Sequence, residues 1–438
     1  MSHELHMPSR EEMLAGTSRP LPKSLRTLCS VFAIIGLIVF VVGLFVAPDR
    51  AWRSLLFNWL YFTSVSSAGV MFVAVQRITT ARWSRPVTRF IEGYVAFLPV
   101  SFVLLLLIFL GRSHIFPWTQ APSEIPEKRL YLNPLFLIPR DIILFGAITV
   151  LSVWYIYTSV RLDVGVTGEG GAPWARKLRE RMRKGFRDER REIHSTHSLQ
   201  GYLAVILAYV FSFFWIVLSW DLSMSLDLHF QSTMYGWWFF MGGWVTAIAS
   251  LTILTVAWRR YLDRYDLITE KHFHDLGKLC FAFTAFWGYL TFGQYLVIWY
   301  GNLGEETHWM RLRLIAPWMK LTLLGVCLMF GPFFGLMAKS AKVFLPTMVL
   351  FASFTVAGLW IHRYIEVYPS LYSASKDIPF GIWETGVGLG LLGVWGFCYA
   401  SFMDAFPRMR VVLMTSPFRD EVQVPVNPET MEPLPAHE

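Results

Sequence analysis

Ten separate apolar segments constrain this chain more than any other feature, because each is long enough to cross a lipid bilayer as a helix. An α-helix rises about 1.5 Å per residue, so about 20 residues span the roughly 30 Å hydrocarbon core. Lipid offers no hydrogen-bond partners, and a helix satisfies its own backbone. The sequence therefore predicts an all-α membrane protein with ten transmembrane helices. The predicted spans are 28–47, 55–76, 91–111, 141–160, 199–220, 236–257, 278–300, 316–337, 343–366 and 379–403.

Composition agrees with this class. Only 16% of the residues are charged and 54% are hydrophobic, whereas soluble domains carry about a quarter charged residues. The net charge of +8 could indicate a nucleic-acid-binding protein. That function is excluded, because the basic residues lie in the loops between spans, where membrane topology places them.

The distribution of lysine and arginine predicts the orientation. With ten spans both termini lie on one side, and 28 of the 39 basic residues fall on that side. Basic loops stay in the cytoplasm, so both termini are predicted to be cytoplasmic. The predicted regions are a tail (1–27), a membrane domain (28–403) and a second tail (404–438).

The longest polar loop, 163–198, lies inside the membrane domain and is predicted to be a cytoplasmic basic linker. Its first part, VGVTGEGGAP, is rich in glycine, and its second part, WARKLRERMRKGFRDERRE, is typical of a basic surface helix. Two interpretations remain open, namely a solvated linker and a segment that contacts anionic lipid headgroups.

A weak internal repeat relates spans 2–3 to spans 6–7. Each pair has an aromatic-rich first span, a basic loop and a second span that returns across the membrane. Parallel repeats of this kind are common in membrane carriers. The repeat predicts two four-helix bundles, spans 2–5 and spans 6–9, with spans 1 and 10 as peripheral helices.

The sequence predicts no cofactor bound by this chain alone. The four cysteines lie singly in apolar runs, so they form no CxxC pair for zinc or an iron–sulfur cluster. None of the eleven histidines lies near the middle of a predicted span, which argues against a bound b-type haem. The loop with Asp227 and His229 matches no metal-ligand spacing and is predicted to cap the helices. Nucleotide-binding motifs are absent from the sequence, which gives no support to ATP-driven transport.

Ionisable residues inside a membrane are costly and are therefore functional candidates. For each group the interpretation is either an ion pair that anchors a helix end or the mouth of a proton-conducting half-path. Residues His362, Arg363 and Glu366 can share one helix face, and Gln294 could extend a path into the membrane. The outer candidates are Asp221, His362, Arg363, Glu366 and Glu384, and the inner candidates are His274, Asp275 and Lys278.

Two stretches resemble a known family. They are SWDLSMSLDLHFQSTMYGWW in 219–238 and HDLGKLCFAFTAFWGYLTFGQYLVIWYGNLGEET in 274–307. Together they resemble the membrane subunits of alternative complex III, which are similar to the membrane anchor of polysulfide reductase. The closer resemblance is to the second of the two large paralogous subunits of that complex.

The resemblance implies a bacterial quinol:electron-acceptor oxidoreductase in the inner membrane. Its iron–sulfur subunit and multihaem cytochrome c subunits would carry the electrons, and the paralogous membrane subunit would hold the quinol. This chain would then be a redox-silent scaffold in contact with lipids, with proton half-paths. Asp221, His274, Asp275, Gln294 and Glu305 fall on the family motifs. Two departures are Gly293, where the family often has serine, and Gly304, where it often has proline.

Two alternatives remain open from the sequence. The first is that this chain is itself the quinol-binding subunit of such a complex. The second, from a different class, is a stand-alone secondary transporter.

Overall fold

A computed structural model describes residues 9–15, 20–120, 126–168 and 170–422. Within these ranges the secondary structure is helical and contains no strand, which confirms the all-α prediction. Residues 1–8 and 423–438 of the two predicted tails lie outside the described ranges.

Ten helices correspond to the ten apolar segments. They extend beyond most of these segments because their polar ends continue the helix past the apolar core. Their bounds are α1 Lys23–Val46, α2 Pro48–Ile78, α3 Arg85–Leu110 (with a 3-10 turn at Gly93–Phe97), α4 Pro134–Thr167, α5 Glu189–Leu222, α6 Tyr235–Leu262, α7 Glu270–Gly301, α8 Met319–Gly335, α9 Leu345–Leu371 and α10 Ile382–Ala405.

Nine of these helices, within the described ranges, are long and apolar enough to cross a membrane. The exception is α8, which has only 17 residues. It follows the helix Gly304–Leu314 at an angle of 84°, and the two together would make a tenth, broken span. Pro317 lies at the break, where a proline without an N–H group cannot continue a helix.

The described ends of the chain lie at the same end of the helix assembly, here called the terminal end. Arg26 of α1 contacts Asp404 of α10 at 2.7 Å between Nη2 and Oδ2. The opposite end, here called the far end, holds Arg50 at the start of α2 and Glu384 at the start of α10.

The predicted basic linker is shorter than the sequence indicates. Helix α4 continues to Thr167 and α5 begins at Glu189, so only residues 168–188 connect them. Within the connection the basic helix covers Arg176–Arg183. The last four residues of the predicted surface helix, 189–192, instead form the first turn of α5, where Glu189 and Glu192 suit the positive end of the helix dipole.

Helix α2 lies at the centre of the assembly, and its most apolar 18-residue window is fully buried. It packs against α3, α5, α6, α9 and α10. Further contacts join α3 to α4, α4 to α5, α6 to α7 and α9, and α8 to α7 and α9, while α1 packs against α10 and α2.

Two glycines allow α1 and α10 to approach closely. A Cβ atom on Gly390 would lie 2.6 Å from the Cα of Gly36, and one on Gly36 would lie 2.2 Å from the Cα of Gly390. Small residues permit such backbone contact between membrane helices. The pair therefore fixes α10 against the first helix of the chain.

We predict that Gly390→Ala lowers the melting temperature of the purified protein, because the added methyl group forces α1 away from α10. The control is Gly331→Ala in α8, where an added Cβ meets nothing within 4 Å and alanine favours the helix by about 1 kcal/mol. Equal melting temperatures for the two variants would contradict this packing.

Candidate functional site

The largest described cavity lies between α7, α8 and α9 in the half nearer the far end. It has a volume of about 530 Å³, and its walls are mostly apolar and aromatic. Phe292 of α7 and Leu323 of α8 line it and are 61% and 50% exposed. The cavity therefore reaches the apolar outer surface between these two helices.

An acid–base pair lies on one wall of this cavity. His362 and Glu366, one turn apart on α9, both line it, and the His362 Nδ1 is 2.9 Å from the Glu366 Oε1. A carboxylate only accepts hydrogen bonds, so Nδ1 carries the proton when Glu366 is ionised. In the neutral imidazole this leaves Nε2 as a proton acceptor.

The Glu366 carboxylate is held in place by an arginine. The Arg363 Nη1 donates to both Glu366 oxygens, at 2.6 and 2.7 Å, and its Nη2 donates to the Phe239 carbonyl at 2.7 Å. Charge-assisted bonds of this kind are the strongest in proteins. His362, Arg363 and Glu366 thus contact one another on one face of α9, as the sequence predicts. Arg363 itself does not line the cavity.

Two tryptophans enclose the His362 ring. The rings of Trp238 from α6 and Trp287 from α7 lie 4.7 and 5.4 Å from it, both edge-on. The Trp238 Nε1 donates to the Thr291 hydroxyl at 2.8 Å. The imidazole is thus confined by rings on two sides and directed by Glu366 on a third.

Gln294 also lines the cavity, and its amide has no partner. The side chain is 4% exposed, and neither Oε1 nor Nε2 has a hydrogen bond within the described residues. Leaving buried polar groups unpaired costs about 1–3 kcal/mol each. An unpaired amide directed into a cavity therefore favours a bound group that supplies both a donor and an acceptor.

The helix Gly304–Leu314 covers the cavity, and Arg313 fixes it to α9. Pro369 lacks an N–H group, which would otherwise bond to the Ile365 carbonyl in the helix. The Arg313 Nε donates to that carbonyl instead, at 3.1 Å, and Nη2 donates to the Glu366 carbonyl at 2.9 Å. The guanidinium also lies 3.7 Å from the Trp309 ring centre.

Glu384 belongs to a separate cluster and does not line this cavity. Arg50 donates to both of its oxygens, at 3.0 and 2.7 Å. The Tyr368 hydroxyl and the Gly381 N–H donate at 3.0 and 2.8 Å. With four donors this buried carboxylate is fully satisfied, as expected for a structural ion pair between α2 and α10.

Asp221, one of the outer candidates from the sequence, lies beside a second carboxyl group. The Arg140 Nη2 donates to its Oδ2 at 2.7 Å, while Asp141 of α4 lies next to it. The Asp141 side chain is fully buried, and the Asp221 carboxyl is the hydrogen-bonding group beside it. The sequence placed Asp141 only at the start of a span, because nothing in its spacing indicates a partner on α5.

The inner candidates lie at the terminal end, away from the cavity. The Lys278 Nζ donates to Asp275 Oδ1 at 3.2 Å, and the two side chains are 57% and 34% exposed. His274 precedes them on the first turns of α7. The Asp275–Lys278 geometry matches the ion-pair interpretation of the sequence.

The loop after α5, which contains Asp227 and His229, is held by contacts with its neighbours. Within the described ranges, no three His, Cys, Asp or Glu side chains come together to hold a metal ion. The loop is instead bound by its neighbours, since the Lys128 Nζ donates to the Leu228 carbonyl at 2.7 Å. Its Phe230 stacks on Trp309 with ring centres 4.3 Å apart.

Comparison with known proteins adds no assignment. No protein-family model matches this sequence, and no curated protein matches it. The resemblance to alternative complex III rests on the two motifs quoted above.

We predict that Glu384→Ala lowers the free energy of unfolding by about 3 kcal/mol or more, because it leaves the Arg50 charge without its partner. Thermal melting of the purified protein measures the effect, and Asp377→Ala, an exposed acid in the preceding loop, is the control. The double variant Arg50→Ala/Glu384→Ala should recover part of the loss. A single variant as stable as the control would contradict a structural role.

Proposed function

We propose that this chain is a quinol-binding membrane subunit of a bacterial respiratory oxidoreductase of the alternative complex III type. The observation that carries the proposal is the apolar cavity in which the His362–Glu366 pair and the unpaired amide of Gln294 line the same space. Its volume lies within the roughly 300–1,000 Å³ range of small-molecule sites. The proposal favours the quinol-binding alternative over a redox-silent scaffold.

The residues match the chemistry of a quinol. The molecule is a flat ring with two hydroxyl groups and an apolar tail, and its oxidation to a quinone releases two protons and two electrons. Trp238 and Trp287 offer aromatic walls for the ring. The His362 Nε2 can accept a hydroxyl proton, while the Gln294 amide can bond to an oxygen of the ring. The apolar opening between Phe292 and Leu323 suits the tail.

Proton release from the ring also has a defined acceptor. When the His362 Nε2 takes a proton, the imidazole becomes a cation beside the Glu366 carboxylate. That carboxylate stabilises the charge, as a buried acid does for the histidine in other proton-transfer sites. Arg363 keeps Glu366 ionised and oriented. The second proton and both electrons leave through groups outside this cluster.

Electron acceptors are proposed to lie in partner subunits. The partners expected from the resemblance are an iron–sulfur subunit, multihaem cytochrome c subunits and a paralogous membrane subunit. The helix contacts support a family-like architecture of two four-helix bundles, α2–α5 and α6–α9, flanked by α1 and α10. In this proposal the termini face the cytoplasm of the bacterial inner membrane, by the distribution of basic residues.

We predict that a soluble short-chain quinone quenches the tryptophan fluorescence of the purified chain, because Trp238, Trp287 and Trp309 line the cavity. Gln294→Leu and His362→Leu should each weaken this binding about tenfold or more, the effect of losing about 1.4 kcal/mol. The matched control is His274→Leu, at the opposite end of α7.

Equal affinities for the control and the cavity variants would contradict the site. A protein that purifies without redox partners and moves a solute in liposomes would favour the transporter alternative.

The pair Asp141–Asp221 favours a second function, a proton half-path near the far end. Two adjacent buried carboxyl groups repel each other when both are ionised, so they hold one proton between them. In the purified complex, we predict that Asp141→Asn lowers the number of protons released per electron while quinol oxidation continues. An unchanged proton ratio in this variant would rule out the path.

A further inference from the structure

A second, smaller cavity, partly open to the surface, lies at the terminal end, among α2, α3, α4, α5 and the segment after α10. Its volume is about 50 Å³. A buried water needs roughly 10–15 Å³ of such space, so the cavity holds a few waters or one compact anion. Four basic residues line it, together with one acid, Asp163, and two neutral amides; these residues are Arg77, Arg85, His197, Arg410, Asp163, Gln76 and Gln200.

Part of the positive charge around this cavity is balanced within the protein. Glu92 forms an ion pair with Arg89, with 2.5 Å between Oε2 and Nη1, and its Oε1 accepts from the Arg410 Nε at 2.9 Å. Asp163 pairs with Arg89 and accepts the Val412 N–H at 2.9 Å. These bonds hold the segment after α10 against α3 and α4 and form one rigid wall of the cavity.

Arg77 is not balanced in this way. Its Nη2 donates to the His197 carbonyl at 2.9 Å, and no carboxylate of the described residues forms an ion pair with it. Its buried Nε has no hydrogen bond there, and neither does the Oε1 of the adjacent Gln76. The Arg410 charge raises the cost of the Arg77 charge further.

A phosphate group would satisfy these atoms. Guanidinium donors match the oxygens of a phosphate in pairs. Gln200 of α5 adds a neutral donor to the cavity wall, because only one of its two amide N–H groups is used, on the Thr158 hydroxyl. A protonated phosphate oxygen could also donate to the Gln76 Oε1. The space corresponds to the few oxygens of one such group.

We propose that this cavity is an anion site that binds one phosphate group, either free phosphate or the headgroup of an anionic lipid. The basic end of a membrane protein faces the leaflet that carries anionic lipids, which places such headgroups within reach. The bound anion would link α2 to α5 and to the segment after α10. The site lies at the opposite end from the quinol cavity and does not depend on that proposal.

The test uses the purified full-length protein after removal of lipid by detergent exchange. Inorganic phosphate and short-chain phosphatidylglycerol are titrated separately, and binding is followed by the shift in melting temperature and by native mass spectrometry. Arg77→Gln is compared with Arg181→Gln, which removes one exposed positive charge from the basic helix near the same end.

We expect wild type and Arg181→Gln to bind one anion alike, and Arg77→Gln to bind it at least about tenfold more weakly. Arg77→Gln should also melt close to wild type without ligand, because the charge that it removes is only half-buried and its one hydrogen bond is to a carbonyl. Stabilisation by inorganic phosphate identifies free phosphate as sufficient, and stabilisation by phosphatidylglycerol alone identifies the headgroup.

Equal binding by wild type and Arg77→Gln, or no stabilisation of wild type by either ligand, would overturn the proposal. If Arg77→Gln does not fold, Arg77→Lys replaces it, since lysine keeps the charge but loses the paired donors. Wild-type affinity in Arg77→Lys would then also overturn it.

Discussion

Most charges in the interior of this protein are paired with an opposite charge, and these pairs hold the helix assembly together. An unpaired buried charge costs several kcal/mol. The pairs Arg50–Glu384 and Arg26–Asp404 join α10 to the first two helices of the chain, and Arg140–Asp221 joins α4 to α5. Because these pairs fix helix ends, they also set the directions in which the remaining polar groups point.

The polar groups without partners are informative for the same reason. In an assembly where most buried charges are paired, Gln294 and Arg77 have atoms that no described residue satisfies. Each lies in a cavity, one with apolar and aromatic walls and one with basic walls. Because the walls differ, we propose different ligands for the two cavities. The apolar cavity near the far end suits an amphipathic ring, and the basic cavity at the terminal end suits a phosphate group.

Much of the architecture follows from the sequence, because apolar length and periodicity determine membrane helices directly. The cluster of His362, Arg363 and Glu366 is also predictable, since spacings of three and four place these residues on one helix face. In contrast, the partner of Glu384 is Arg50, 334 positions earlier, and no local pattern reveals it.

The cavity between α7, α8 and α9 was not predictable from the sequence. It depends on the bend between two helices at Pro317, and on the hydrogen bond by which Arg313 replaces the one lost at Pro369. Both effects join residues from different helices. A sequence signal did exist for Arg313, since it is a basic residue flanked by apolar ones near a predicted helix end. The sequence does not show its hydrogen-bond acceptor, the Ile365 carbonyl, which lies 52 positions further along the chain.

The most direct test of the central claim is photoaffinity labelling of the purified complex with an azido-quinone, followed by peptide mapping. The account predicts labelled peptides from α7 and α8 around Phe292 and Leu323, with loss of label when excess unlabelled quinone is present. Label confined to another subunit, or to helices α2–α5 of this chain, would contradict it.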